Sequence, residues 1–340
     1  MESTFVPKVR GLLVSLLALV FMTALTVAAN AQDQKKEQGP QLSGDERNAL
    51  EKIVKAANTE AKMKAAADYA KKFPKGVKRL EVAGTIANEI YRIQDNNQKI
   101  KMAQEFSNTF NQPGEPDLVR PSLIEAYFTA NKFDEALNES AKYLEKNPED
   151  VTIHVQITWA GANQAQKMPP TSRLIQEALK SGVKGVELME ADKKPSWMED
   201  AKWKEYRNSW LWRLYQAQGI LQVISNNKTA AKESFEKAVG IESYEPSILL
   251  QLVNLSSEEY QTLAQQYQKE QKPEQMTKAL EKMDEVIDWL ARAVAATEGN
   301  AQLKEANAQL MENLKQYYSF RNNGKTDGMA GLIDKYRKKG

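Results

Sequence analysis

The strongest constraint on this chain is a helix–turn–helix pattern that recurs along it. The stretch Asp117–Asp150 reads DLVRPSLIEAYFTANKFDEALNESAKYLEKNPED. Leu123, Tyr127 and Ala130 fall on one face of a first helix. Phe133, Ala136, Leu137, Tyr143 and Leu144 fall on one face of a second, and Asn131 and Lys132 make the turn. Pro148 stops the second helix, because proline has no amide hydrogen and its ring clashes with the preceding turn. The same plan occurs twice upstream. Leu50, Ile53, Val54 and Ala57, then Met63, Ala66, Ala67 and Ala70, form a pair ending at Phe73-Pro74. Leu80, Ala83, Ala87, Ile90 and Tyr91, then Ile100, Met102, Ala103 and Phe106, form a pair ending at Phe110 and Pro113. The stops Pro74, Pro113 and Pro148 recur at intervals of 39 and 35 residues. A period of that size predicts an array in which each pair buries its apolar face against the next.

Asp117–Asp150 resembles a tetratricopeptide (TPR) unit, a helix–turn–helix of about 34 residues. Leu123, Tyr127, Phe133, Ala136 and Pro148 carry the resemblance, and three positions depart from it. Ile124 stands where glycine is usual, Ser140 where an aromatic is usual, and Tyr143 where alanine is usual. A second match has Gly219 at the small-residue position. There TAAKESFEKAV places Ala231, Phe235 and Ala238 at the alanine, aromatic and alanine positions, with Pro246 following slightly late. YAKKFPKG also resembles TPR-type envelope lipoproteins. The resemblance implies an all-α, TPR-like right-handed helical-hairpin solenoid that binds a protein or peptide. The first helices of the repeats would line its concave face. By repeat position the expected partner-binding residues are Ser122, Glu125 and Phe128, then Thr152, Gln156, Trp159 and Asn163, then Arg213 and Gln216. The Lys, Asn and Arg pattern with which some TPR domains clamp a C-terminal carboxylate is absent.

Beyond Asp150, Val151–Gly161 and Ser172–Lys180 read as a further pair, broken at Pro169-Pro170. Ser181–Pro195 carries two glycines and a proline and reads as a long loop, with room for a short helix, in an irregular connection extending to residue 202. Four of the six tryptophans lie between Trp197 and Trp212. Trp203, Arg207, Trp210 and Leu214 share one helical face, and Trp212, Tyr215 and Gly219 another, which predicts a helix sandwiched between neighbours, with an aromatic ligand cage as the alternative. The C-terminal region, 256–340, reads as a helical cap with longer helices. Ser256 and Glu259 form a capping-box pattern for a helix through Gln271. Pro273 opens the next, with a seam of Met276, Leu280, Met283, Ile287, Leu290 and Val294 ended by Gly299. Leu303, Ala306, Leu310, Leu314 and Tyr317 form a third, and Met329–Arg337 a last short helix.

Composition excludes whole classes of chemistry. There is no cysteine and one histidine, His154, so disulfides, thiolate metal sites and Cys nucleophiles are out. The nucleotide and zinc-peptidase signatures are absent. No cofactor and no metal is expected, and the chain does not read as an enzyme. The 47 Lys and Arg are interleaved with 45 Asp and Glu, the pattern of a solvated helical surface rather than a nucleic-acid face.

Lys8 and Arg10 precede an apolar run from Leu12 to Ala29, and Ala29-Asn30-Ala31 follows. Basic flank, apolar core and A-x-A site predict a secretory signal, residues 1–31, cleaved after Ala31; an uncleaved anchor is the rival. Residues 32–44 hold almost no apolar side chain and read as a disordered linker. With TPR-like repeats behind it, the signal implies a bacterial periplasmic or secreted protein with no stable membrane insertion after cleavage. The functional expectation is an exported scaffold for a protein or peptide in the bacterial envelope. An envelope enzyme acting on polysaccharide or peptidoglycan, and a structural spacer without ligand, are the alternatives.

Overall fold

A computed structural model of the chain describes residues 42–337. The apolar run, the Ala29-Asn30-Ala31 site and most of the linker lie outside the described residues. The described residues form fourteen α-helices and no strand. They are α1 (Gly44–Lys55), α2 (Thr59–Lys72), α3 (Arg79–Tyr91), α4 (Asn96–Thr109), α5 (Arg120–Thr129), α6 (Phe133–Lys146) and α7 (Val151–Gln164). They continue as α8 (Arg173–Glu190), α9 (Asp200–Ile224), α10 (Lys228–Ile241), α11 (Pro246–Glu270), α12 (Pro273–Thr297), α13 (Lys304–Arg321) and α14 (Met329–Tyr336). From α1 to α13 each helix touches its immediate neighbours, and at α2–α4, α5–α7, α6–α8, α7–α9 and α12–α14 a helix also touches the one two places on. The chain is an all-α array of TPR-like helical hairpins, with its longest helices, α9, α11 and α12, in the C-terminal half.

Local chemistry sets the helix ends. Ser43, Asn58, Asp95, Asp150 and Asn227 accept an orphan amide at the starts of α1, α2, α4, α7 and α10. Between α5 and α6 the chain turns through Asn131 in the left-handed region, and the Lys132 amide donates back to Tyr127 O at 2.9 Å. Between α9 and α10, Asn226 is left-handed and the Asn227 amide donates to Gln222 O at 2.9 Å. Both are the same six-to-one helix stop, at the same place in two hairpins. Asparagine tolerates this conformation better than other non-glycine residues.

The two best-matched repeats fill their shared interior in opposite ways. In the α9–α10 hairpin Gly219 has no side chain, and a Cβ there would lie 2.6–2.8 Å from the Phe235 ring. In the α5–α6 hairpin the same two positions are Ile124 and Ser140, both fully buried. Large and small have exchanged places between the helices, which keeps interior volume filled, as close packing demands. The departures at Ile124 and Ser140 are thus a compensated pair. Ala136, where the two helices cross, is fully buried as the pattern predicts.

Four sequence expectations are corrected. Ser181–Pro195 is mostly helix: α8 runs unbroken to Glu190, and only Ala191–Glu199 is a connection. Its glycines serve packing. A Cβ on Gly182 would lie 2.9 Å from Gln218 Cγ, and one on Gly185 would lie 3.0 Å from Leu214 Cδ2, so α8 runs close against α9. The capping box at Ser256 does not exist either. α11 runs from Pro246 to Glu270, and Ser256 sits inside it, buried, donating to Glu285 Oε1 at 2.9 Å. Val54, Leu80 and Met276, expected on apolar faces, are exposed. The faces belong instead to Ile53 in α1, to Val82, Ala83 and Ile86 in α3, and to Ala279 and Met283 in α12. Lastly, the 32–44 linker ends earlier than expected, since Ser43 caps α1 and Gly44 is its first residue.

The longer C-terminal helices are joined by charge as well as by apolar contact. Lys232 of α10 meets Glu259 of α11 at 2.9 Å and Glu285 of α12 at 2.5 Å, and Lys282 meets the same two carboxylates at 2.8 and 2.9 Å. Burial pushes the Glu285 carboxyl up, but hydrogen bonds from Lys232, Lys282 and Ser256 outweigh it and hold it at about 2. The last helix is also tied down. Arg292 of α12 lies between the Trp289 and Tyr336 rings, 4.6 Å from each centroid, and Arg337 forks onto Glu298 at 2.5 and 2.7 Å.

Candidate functional site

The expected partner-binding residues do not form one continuous surface. Ser122 is buried in the wall of α5, and Phe128 is half-buried where two apolar clusters meet. Glu125 projects into solvent. Thr152 is committed to the start of α7, where its hydroxyl donates to Asp150 Oδ1 at 2.6 Å. The open stripe of α7 is Gln156, Trp159 and Asn163, because Ile153 and Ile157 turn inward and are buried. Those two face the neighbouring helices, as the helical period requires.

Trp159 is half-buried, and its ring meets the ring of Trp210 on α9 edge-on, with centroids 5.7 Å apart. Trp210 continues a row of aromatic rings along α9 through Tyr206, at 6.1 Å, to Trp203, at 6.3 Å. Edge-to-face and offset contacts of this kind are the preferred arrangements of aromatic quadrupoles. Burial, and secondarily the charge of Asp150, pushes the Tyr206 hydroxyl well above the ordinary tyrosine range. Arg213 lies over Trp212 at 4.3 Å and Trp210 at 5.8 Å, and it donates to Ser209 O of its own helix. Burial pulls the Arg213 guanidinium down, and Glu245 and Glu242 partly offset this. Gln216 donates to Ser247 Oγ on α11 at 2.8 Å. Gln156 Oε1, beside Trp159, is buried and accepts no hydrogen bond.

The structure therefore brings together Gln156, Trp159, Asn163 and Arg213 and disperses the rest. Sequence reasoning missed Trp210 as the partner of Trp159. The signal was present in the spacing of Trp203 and Trp210, but nothing in the sequence said which neighbour that face would meet. It also missed Asp150, a buried carboxylate that accepts from Tyr143 Oη at 2.8 Å, the Thr152 amide and hydroxyl, and Trp197 Nε1 at 3.3 Å.

Elsewhere, two adjoining clefts of about 380 Å³ each open between α2 and α4. Arg79 lines one, but its guanidinium is taken up by Glu115, Ala70 O and Thr109 O. Among the described residues no three His, Asp or Glu side chains are placed to hold a metal ion, and no helix is long and apolar enough to cross a membrane.

No family model matches the chain, and no curated protein sequence matches it. Solved structures do. Pseudomonas aeruginosa pilF is 13% identical over 75% of this chain and 97% of its own, with a TM-score of 0.37. A tetratricopeptide repeat protein from Parabacteroides merdae is 12% identical over 86% of this chain and 98% of its own, with a TM-score of 0.38. A thermophilic TPR protein from Thermus thermophilus is 12% identical over 68% of this chain and 99% of its own, with a TM-score of 0.33. At these values the class of fold rests on the hairpins themselves: on the recurring turn, the large-for-small exchange and the contacts between alternate helices.

Proposed function

We propose that the chain is a scaffold that binds a protein or peptide along the open stripe of α7 and the adjoining face of α9, and that it is not an enzyme. The carrying observation is the half-buried Trp159–Trp210 pair, which has the unpaired Gln156 carbonyl on one side and the exposed Asn163 on the other. A rigid aromatic presents large area at little entropic cost, and tryptophan is enriched among binding hot spots. The remaining connection, Ala191–Glu199, packs at the start of α7 against Asp150, so it leaves Trp159 uncovered. Full-length protein used as bait in an envelope extract tests the reading. Trp159→Ala is expected to weaken capture of its partner by at least about 2 kcal/mol. Capture at wild-type strength by the folded variant would remove the stripe from the interface.

We place the protein in the bacterial envelope, exported by the signal ending at Ala31. The support is the order of basic flank, apolar run and A-x-A site. The mature chain from the native host is expected to begin at Gln32 on N-terminal sequencing. A chain still beginning at Met1 or Glu2 on membranes would mean an anchor instead.

A further inference from the structure

The connection Ala191–Glu199 crosses the start of α7 like a strap, and few bonds hold it there. Trp197 reaches down and donates its indole N–H to Asp150 at 3.3 Å. Pro195 and Met198 of the strap are themselves buried, Met198 in the apolar cluster that also holds Val151. Lys193 stands 4.0 Å from Glu149, an exposed pair worth little. The far end is anchored by Trp203 Nε1 on Asp192 at 2.8 Å. Asp150 is thus both the cap of α7 and the catch for the strap.

One turn further along α7, on the same face as Asp150, lies His154. It is the only histidine in the chain and is 8% exposed. Its Nε2 faces Pro148 O at 3.2 Å, and its Nδ1 is buried with no partner. A carbonyl accepts only from a protonated nitrogen, so Nε2 carries the hydrogen and Nδ1 holds a bare lone pair. A proton arriving there would find no hydrogen-bond partner in place. The groups facing the imidazole are known from each side. Asp150 on α7 favours the charged ring and Lys184 on α8 opposes it. On α6 the Tyr143 hydroxyl is engaged with Asp150, and on α9 Tyr206 feels the same carboxylate. Asp150 is the carboxylate that favours a charged His154, and it already holds the strap.

We propose that the Ala191–Glu199 strap is a proton-released clasp: protonation of His154 draws the Asp150 carboxylate away from Trp197, and the strap lifts from the start of α7. Release uncovers Met198 and the Trp203 end of the aromatic row that runs to Trp210. Burial holds the His154 ring below its ordinary value of 6.5. A histidine depressed in the folded state contributes stability above its unfolded value and loses it as pH falls towards the folded one. Release therefore belongs below about pH 6.5. The device stands whether or not the stripe binds a partner.

Hydrogen exchange on the full chain, corrected for intrinsic rates, reads the strap directly. Between about pH 7.5 and about pH 5 the amides of Lys193 and Met198 are expected to lose protection by about tenfold or more, while α12 holds its own. His154→Gln keeps a polar side chain that cannot be charged, and its strap should stay closed over the same range. Trp197→Phe, lacking the indole donor, should be open at both ends of it. Three results overturn the proposal: parallel loss in wild type and His154→Gln, a pH-independent wild-type strap, or full protection in Trp197→Phe. Should His154→Gln not fold, the single imidazole can be followed by NMR in the wild type. A ring titration displaced from strap opening by more than about one pH unit would also reject the clasp.

Discussion

Replacing Glu115 by alanine is expected to destabilise the first two hairpins by about 3–5 kcal/mol. Glu115 sits just beyond α4 and is buried with Arg79, whose Nε and Nη2 reach its two carboxylate oxygens at 2.6 and 3.0 Å. The same guanidinium donates to Ala70 O near the end of α2 and to Thr109 O at the end of α4, at 3.0 and 3.2 Å, and lies over the Phe110 ring. Glu115 Oε2 also accepts the Gln112 amide. One ion pair thus satisfies the orphan carbonyls of two helices and ties neighbouring hairpins together. Removing the carboxylate leaves a buried cation without a counter-charge, which is why one half of the pair is worth more than the pair itself. Arg79→Leu with Glu115→Leu together should therefore cost less than Glu115→Ala alone. A repeat array need not unfold in one step, so the measurement is hydrogen-exchange protection within α2 to α4 as well as the urea midpoint. Unchanged protection in Glu115→Ala would show that the pair is not buried as described.

Gly161→Ala should lower stability by about 1–3 kcal/mol, although alanine is the better helix former. Inside an exposed helix this change would stabilise by close to 1 kcal/mol. Here the new Cβ would lie 2.2 Å from the Cβ of Ala178, and both atoms are fixed to helical backbone, so neither can rotate away. α7 and α8 would have to separate, taking Ile157, Leu174 and Ile175 from contact. The sign of the change is the test, read from thermal unfolding. The double variant Gly161→Ala with Ala178→Gly restores one methyl between the helices and should recover most of the loss. A stabilised Gly161→Ala, or a double variant no better than the single, would contradict so close a crossing.

The sequence read the array well where volume and turn chemistry are local. Leu123, Tyr127, Ala136 and Leu137 are buried as their spacing requires, and the Asn131 turn falls where the pattern changes phase. It read glycine badly. The glycines at 182 and 185 look like breakers in one dimension, because a glycine's cost is local while its benefit, close approach of α9, is not. Ser256 and Glu259 failed for a related reason. Their spacing satisfies a capping box, but Ile248, Leu249 and Leu252 bury against neighbouring helices and carry α11 straight through. Lys232, Lys282 and Glu285 then claim the two polar side chains for a network across three helices. The candidate site divides in the same way. That α7 would leave Gln156, Trp159 and Asn163 on an open stripe follows from a period of 3.6 residues. That Trp159 would rest on Trp210, that Ser122 would be buried, and that Asp150 would hold both a helix start and a strap from 47 residues away depended on which helices lie side by side. The sequence by itself determined the helices, their hairpin pairing and most of their apolar faces, since propensity, capping and periodicity act within a few residues. The tertiary structure alone decided the ion pairs, the glycine crossings and the partners of each aromatic ring, because those energies arise only when distant helices are already in place.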